Sequence, residues 1–171
     1  QYPDSIVPGP ARTRNRTANA PHTQADQPGI ALHLRNLVGG LFTDTVFSAM
    51  KEKDILRVEG PFGSFFLRED SDKPMVLLAS GTGFAPIKAI IEHALHHQVT
   101  RPMGRDWGVR SLIDLYLPKL PGEWQQTQRD FTFIPVLSDP LPGDRWPGRT
   151  GFVHRAVMAD FRDLSGYQVY A

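Results

Sequence analysis

Residues 75–86 of the chain read Met-Val-Leu-Leu-Ala-Ser-Gly-Thr-Gly-Phe-Ala-Pro. The apolar run 75–79 meets a turn of small residues, Ser80 to Gly83, and apolar residues at helical spacing follow from Ile87 to Leu95. This order predicts a strand, a glycine turn and a helix. Because glycine has no Cβ, backbone N–H groups can approach a phosphate closely, and the helix N-terminus adds a partial positive charge. The segment therefore predicts nucleotide binding, with a strand–helix turn whose glycines serve only geometry as the alternative.

Strands alternate with helices from this turn to the last residue. The strands are predicted near 75–79, 102–107, 131–137 and 167–170, and the helices near 86–98, 111–117 and 152–161. Such alternation predicts a parallel sheet covered by helices on both faces. Ligands bind beyond the carboxyl ends of the strands in these sheets, so Arg110 and Ser111 are candidates for contacting a ribose or phosphate. A solvated arginine at a helix start is the alternative for Arg110.

The second of these strands carries two adjacent ionisable residues, Arg105 and Asp106. Burying both in a central strand is costly unless each is paired, so an altered strand is expected here. Asp106 is also a candidate for holding a ribose hydroxyl.

The residues before the turn predict strands and one short helix. Alternating apolar residues predict a half-buried strand over 30–37, and further strands are predicted at 55–58 and 63–67. Between the first two strands, Gly39-Gly40 turns the chain and Thr43 caps a helix. The charged segment 68–73 separates this part from the strand–helix alternation, and we place a domain boundary there.

The composition is that of an ordinary globular protein. Of 171 residues, 40% are apolar and 22% are charged, and the net charge is +1. This charge does not favour nucleic acid or an anionic membrane as a partner, and no apolar run reaches the length of a membrane span. The lack of cysteine excludes disulfides and any zinc or iron–sulphur centre held by cysteines of this chain. We expect a cytoplasmic protein, and no cluster of its histidines and carboxylates has the spacing of a metal site.

Four motifs occur in an order that is typical of one enzyme family. They are Gly40-Leu41-Phe42-Thr43, Glu59-Gly60-Pro61-Phe62-Gly63, Gly81-Thr82-Gly83-Phe84-Ala85-Pro86 and Trp107-Gly108-Val109-Arg110. Together they resemble the ferredoxin–NADP reductase superfamily, especially the reductase components of oxygenases and the CDP-6-deoxy-glucoseen reductases. The resemblance implies an α+β two-domain fold. A partial antiparallel flavin-binding β-barrel (1–69) would precede a Rossmann-like α/β nucleotide-binding domain with a parallel sheet (70–171). It also implies that the chain is a piece of a longer reductase, truncated at both ends.

The function implied by this resemblance is electron transfer from NAD(P)H. The nicotinamide would reduce FAD or FMN, and the flavin would pass electrons to an iron–sulphur centre in a missing domain, or to a ferredoxin or oxygenase partner. The resemblance assigns the flavin side to Arg14, Arg16, Leu32, His33, Leu34, Gly40 and Thr43, and the nicotinamide side to Gly81, Thr82, Gly83, Arg110 and Ser111. It assigns no catalytic side chain, and the choice between NADH and NADPH stays open.

One departure from the family pattern keeps a second function in view. The flavin motif falls on residues 13–16, where Asn15 stands in place of an aromatic residue and Arg16 in place of a hydroxyl residue. A nucleotide-binding module without redox activity is therefore the alternative hypothesis, and a homologue that binds nothing is a third. The visible absorption spectrum and the response to NADH or NADPH would distinguish them.

Overall fold

The computed structural model describes residues 30–60, 62–127 and 130–171. Within these residues, five parallel strands form a sheet in the order β4-β3-β2-β1-β5. The strands are β1 (Met75–Ser80), β2 (Met103–Val109), β3 (Phe131–Leu137), β4 (Arg149–Thr150) and β5 (Gln168–Tyr170). The α-helices are α1 (Leu41–Ser48), α2 (Phe84–His96), α3 (Leu120–Thr127) and α4 (Val153–Asp160), and 3₁₀ turns cover Gly81–Gly83, Leu112–Asp114 and Pro142–Asp144.

The order of the sheet reverses at β1. The chain adds β2, β3 and β4 on one side of β1, whereas β5 pairs with its other edge, with Gln168 opposite Met75. Strands that are covered on both faces are continuous apolar runs, and β1 is buried along most of its length. An open parallel sheet has its ligand crevice where the order reverses, at the carboxyl ends of the strands. The glycine turn at the end of β1 therefore lies at the crevice.

Helices cover both faces of the sheet, as predicted. Trp107 and Gly108 are neighbours on β2, so they point to opposite faces. The Trp107 ring stacks on Phe84 of α2, with ring centroids 3.9 Å apart. On the other face, a Cβ added to Gly108 would lie 2.7 Å from the Cβ of Val153 in α4. A larger residue at 108 would therefore push α4 away from the sheet.

The strand through Arg105 and Asp106 is regular, contrary to the expectation of an altered strand. Both side chains are buried, and they cannot pair because adjacent residues face opposite sides of the sheet. The Arg105 guanidinium lies over the Phe131 ring, and its Nε and Nη1 find no hydrogen-bond partner among the described residues. Burial lowers the pKa of Arg105 to about 8. The central strand thus contains a buried cation without a carboxylate partner in the described residues.

Asp106 lies on the α4 face of the sheet. Burial, and then the charge of Asp160, raise the pKa of Asp106 to about 6, while Arg149 acts in the opposite direction. Arg149 is itself held by Asp160 in a bidentate pair, with both N···O distances 2.7 Å. Asp106 is in the interior of β2 and not at its carboxyl end, so the predicted contact with a ribose hydroxyl is wrong.

The helix predicted at 111–117 is wrong. This segment makes a single 3₁₀ turn, Leu112–Asp114, and the α-helix comes later, as α3. Ser111 and Asp114 close the turn as a capping box. The turn ends at Leu115, whose backbone leaves the helical region with a φ of −75° and a ψ of 77°. The apolar spacing at 111–117 therefore does not continue as an α-helix.

The strands predicted at 30–37, 55–58 and 63–67 are also wrong in the described residues. These segments lack regular secondary structure, and α1 is the element between them. The alternating pattern is present, but a strand needs a hydrogen-bonded neighbour, and the described residues offer none beside these segments. The helix itself was predicted, although Gly40 and not Thr43 is its N-cap.

The segment before β1 contacts the sheet at several points. Leu67 is buried in the core, and the Arg68 N–H donates to the Tyr170 hydroxyl at 2.9 Å. Arg101 donates to the Arg68 carbonyl at 3.0 Å. These contacts tie residues 67 and 68 to the α/β unit. Within the described ranges, no helix is long and apolar enough to cross a membrane.

Candidate functional site

The glycine turn links β1 directly to α2. Gly81, Thr82 and Gly83 form one 3₁₀ turn, and the Phe84 N–H is shared between the carbonyls of Gly81 and Thr82. Gly81 has a φ of +53°, which favours glycine. Gly83 has a φ of −58°, which any residue adopts. A Cβ added to either glycine would meet nothing within 4 Å, so Gly83 in particular leaves open space that neither backbone strain nor packing explains.

A cavity of about 440 Å³ opens beside this turn. It lies at the carboxyl ends of β1, β2 and β3, where the fold predicts a ligand crevice. Its lining includes Ser80 and Gly81 from the turn, Arg110 from the end of β2, and Ser138 from the end of β3. Arg35, from the segment before α1, also lines it. The structure thus brings together Gly81 and Arg110, two residues that were assigned to the nicotinamide side.

The charge of Arg110 is shared with a carboxylate. Its Nε lies 3.1 Å from Oδ2 of Asp139, and both side chains are mostly exposed. Ser111, by contrast, is buried, and its hydroxyl donates to Asp114 Oδ2 at 2.9 Å. The Ser111 side chain therefore closes its own turn, and its contact with a nucleotide stays a prediction.

His33 is the flavin-side candidate that contacts the α/β unit. Its Nδ1 lies 2.6 Å from the Tyr116 hydroxyl, and the two rings meet edge to face. Burial, followed by the charge of Lys88, lowers the pKa of His33, and burial raises the pKa of Tyr116. The bond forms in either direction: the phenol O–H donates to an unprotonated Nδ1, or an Nδ1–H donates to the phenol oxygen, according to the tautomer of the imidazole.

Gly40 and Thr43 form a tight loop at the start of α1. The Thr43 hydroxyl donates to the Leu37 carbonyl at 2.9 Å, and a Cβ on Gly40 would lie 2.5 Å from Thr43 Oγ1. These two residues therefore shape the loop, whereas their contact with a flavin diphosphate stays a prediction. Leu32 and Leu34 flank His33 with exposed side chains. Arg14 and Arg16 lie outside the described residues.

The cavity also contains residues that the sequence did not single out. Ser138, Phe152 and His154 line it, and the rings of Phe152 and His154 stack with their planes 12° apart. Ser138 comes directly after β3, and Phe152 comes two residues after β4. The signal in the sequence was therefore the position of both residues just beyond the end of a strand. No group of three or more His, Asp or Glu side chains in the described ranges is placed to hold a metal ion.

Comparison with known proteins identifies the family. The model of the oxidoreductase NAD-binding domain matches residues 77–171, which include the glycine turn, all of α2 and the end of β5. The chain belongs to this family. Every residue that lines the cavity, apart from Arg35, lies within the matched range.

Individual relatives agree with this assignment. The CDP-6-deoxy-L-threo-D-glycero-4-hexulose-3-dehydrase reductase of Yersinia pestis is 40% identical over 173 aligned positions, which cover 100% of this chain and 50% of that protein. Reductase component 1 of the terephthalate 1,2-dioxygenase of Comamonas is 36% identical, over 90% of this chain and 44% of that protein. The crystal structure of the Amycolatopsis cytochrome P450 reductase GcoB is 36% identical with a TM-score of 0.70, over 81% of this chain and 42% of that one.

These matches confirm the resemblance to the ferredoxin reductase superfamily, including the oxygenase reductase components and the hexulose dehydrase reductases. The chain spans about half the length of the curated relatives that it matches.

Proposed function

We propose that this chain contains the nicotinamide-nucleotide site of a flavin-dependent NAD(P)H oxidoreductase. The observation that carries the proposal is the glycine turn at the end of β1, above all Gly83. Its backbone is helical, and an added Cβ would meet no protein atom within 4 Å. Open space beside a helix N-terminus is what a bound diphosphate requires, and Gly81, at the other end of the same turn, lines the cavity.

The residues of this site would bind and orient the coenzyme. The free N–H groups at the start of α2, a helix of 13 residues, would face its diphosphate. Arg110 would add a guanidinium at the mouth of the cavity, and Ser138 would offer a hydroxyl at the end of β3. Together these groups would hold the nucleotide across the carboxyl ends of three strands.

We further propose that NADH is preferred over NADPH. Asp139 contacts Arg110, the cation that could otherwise pair with a 2′-phosphate. A carboxylate beside the ribose accepts hydrogen bonds from its hydroxyls and repels a phosphate in the same place. The Arg110–Asp139 pair therefore favours the coenzyme that lacks the 2′-phosphate.

The described residues before β1 are of types that can contact a flavin. Leu32 and Leu34 expose apolar side chains on either side of His33, whose imidazole adds a polar ring. The start of α1 at Gly40 adds N–H groups that have no partners inside the helix. A bound FAD or FMN would supply the chemistry that side chains lack, since it accepts two electrons from NAD(P)H and releases them singly. We assign residues 1–69 to this flavin-binding part, with the barrel fold that the family resemblance implies, and residues 70–171 to the nucleotide-binding part.

We propose an electron-transfer protein as the acceptor, either an iron–sulphur domain or an oxygenase. The names of the relatives describe reductases that serve a dehydrase, a dioxygenase and a cytochrome P450. The proposal extends that role to this chain. The acceptor would be identified as the partner protein that restores turnover with NAD(P)H.

Nucleotide binding is tested by calorimetry with NADH and NAD⁺ on the unaltered protein and on two valine variants. Gly83→Val fills the space beside the turn and should weaken binding at least tenfold without a matching loss of stability. Gly122→Val is the matched control, because Gly122 lies on α3 and a Cβ there also meets nothing within 4 Å. Equal affinities in both variants would show that the coenzyme does not use the space at Gly83.

Redox function is tested by the visible absorption spectrum of the purified protein. A flavoprotein reductase should be yellow and should bleach without oxygen when NADH is added. A protein that binds NADH, yet neither holds flavin after reconstitution nor reduces a dye, would instead be a nucleotide-binding module. The substitutions at Asn15 and Arg16 are what keep that alternative open.

A further inference from the structure

The indole of Trp107 contacts both ends of the glycine turn. Its Nε1–H donates to the Gly81 carbonyl at 3.0 Å. Its ring stacks on Phe84, the first residue of α2, with centroids 3.9 Å apart and planes 9° from parallel. We propose that Trp107 is a positioning residue, which fixes the orientation of the turn's N–H groups for the nicotinamide nucleotide. This inference rests on the proposed function.

The hydrogen bonds at Gly81 give the physical reason. The Gly81 carbonyl accepts from the indole and from the Phe84 N–H, which uses both of its lone pairs. In a trans peptide the C=O and the following N–H point in opposite directions. Because the Gly81 carbonyl is held toward the buried indole, the N–H of Thr82 is directed away from the core.

Without such a restraint, the turn would be free to change conformation. The peptide that joins Gly81 to Thr82 rotates by changes in ψ of Gly81 and φ of Thr82, and glycine restricts its own backbone less than other residues do because it lacks a Cβ. A rotation of the Gly81–Thr82 peptide would turn the Thr82 N–H inward and present a carbonyl oxygen to the coenzyme. The hydrogen bond from the indole opposes this rotation in the free protein. The turn therefore loses less conformational freedom when the nucleotide binds.

Tryptophan makes both contacts with one side chain. The stack on Phe84 needs a large flat ring, and the bond to Gly81 needs a donor at the edge of that ring. Trp107 is also held in place, since it is only 1% exposed and Tyr116 meets it edge to face at 5.1 Å. Phenylalanine at 107 would keep the stacking and lose the donor.

The experiment compares Trp107→Phe with Trp124→Phe. Trp124 is a buried tryptophan of α3 that packs on the same Phe84 ring at 6.1 Å, so its replacement removes a similar volume from the same core. We expect both variants to lower the unfolding midpoint. In calorimetry with NAD⁺, only Trp107→Phe should weaken binding, by about fivefold, which is the factor that corresponds to one neutral hydrogen bond. Equal weakening in both variants would indicate a general packing effect and overturn the proposal.

Amide hydrogen exchange of the free protein gives a readout that does not depend on the coenzyme. The segment 80–86 should exchange faster in Trp107→Phe than in Trp124→Phe, because the turn loses its restraint. Unchanged exchange together with unchanged NAD⁺ affinity would overturn the inference and leave the proposed function intact. Failure of the unaltered protein to bind any nicotinamide nucleotide would overturn the proposed function, and this inference with it.

Discussion

Replacing Asp106 by asparagine should stabilise this protein at neutral and alkaline pH. Asp106 is 3% exposed in the central strand, and its Oδ1 finds no hydrogen-bond partner among the described residues. Burial and the charge of Asp160 together raise its pKa from 3.8 to about 6, against the opposing effect of Arg149. The folded state therefore holds a proton on Asp106 more tightly than the unfolded chain does.

The sign and size of the effect follow from this pKa. Above about pH 6 the folded protein contains a buried carboxylate that is better solvated after unfolding, so the charge lowers the free energy of unfolding. A shift of roughly two pKa units corresponds to about 3 kcal/mol. As the pH falls from about 6 toward 4, the folded state takes up the proton first and this cost disappears. The amide introduced by Asp106→Asn never carries the charge, so the gain should be about 3 kcal/mol at about pH 8 and small at about pH 4.

The assay is urea unfolding followed by tryptophan fluorescence, at about pH 4.5, 6 and 8. The control is Asp163→Asn, because the Asp163 carboxylate accepts from both the N–H and the hydroxyl of Ser165, which lowers its pKa. Loss of that charge should destabilise the protein at high pH, the opposite sign to Asp106→Asn. A gain for Asp106→Asn that is the same at every pH, or a loss at about pH 8, would refute the reasoning from desolvation.

Two further predictions concern the site. Asp139→Asn should lower the ratio of the NADPH to the NADH dissociation constant by roughly tenfold, because it removes a charge that repels a 2′-phosphate. Titration with each coenzyme measures this ratio, and replacement of the exposed Asp72 by asparagine is the control. An unchanged ratio would contradict the role given to Asp139. If the Tyr116 hydroxyl donates to Nδ1, Tyr116→Phe should raise the pKa of His33, since Nδ1 then becomes free to bind a proton. An NMR titration of the His33 ring measures the change, and an unchanged pKa would mean that the hydroxyl does not hold the imidazole in one tautomer.

The sequence predicted the α/β unit well because its signals there are local. The run at 131–137 coincides with β3, and the glycine turn, β1 and α2 lie where the apolar spacing placed them. The strand predicted at 30–37 was wrong although its apolar alternation is clear. A strand forms only beside a hydrogen-bonded neighbour, and the sequence of the segment does not show whether it has one. At 111–117 the apolar spacing indicated a helix, but the segment forms a single turn closed by Ser111 and Asp114.

Of the residues predicted for the nucleotide site, Gly81 and Arg110 line the cavity, and their contacts with a nucleotide stay a prediction. Gly81 and Gly83 could be identified from their position between a strand and a helix. The contacts of Arg110 with Asp139, and of Trp107 with Gly81, join residues that are 29 and 26 positions apart. Such pairs depend on the register of β1, β2 and β3 against one another. No periodicity within one segment reveals them.

By itself, the sequence determined β1, β2 and β3, the glycine turn with α2, and the family, because each depends on residues close together in the chain or on motifs in a fixed order. Only the tertiary structure decided that Arg105 and Asp106 are both buried, that α4 closes over Gly108, and that the Trp107 indole bonds to the turn. These outcomes depend on which strand lies beside which and on how closely a helix approaches. Burial of both faces of the parallel sheet fixes which residues contact one another across the sheet.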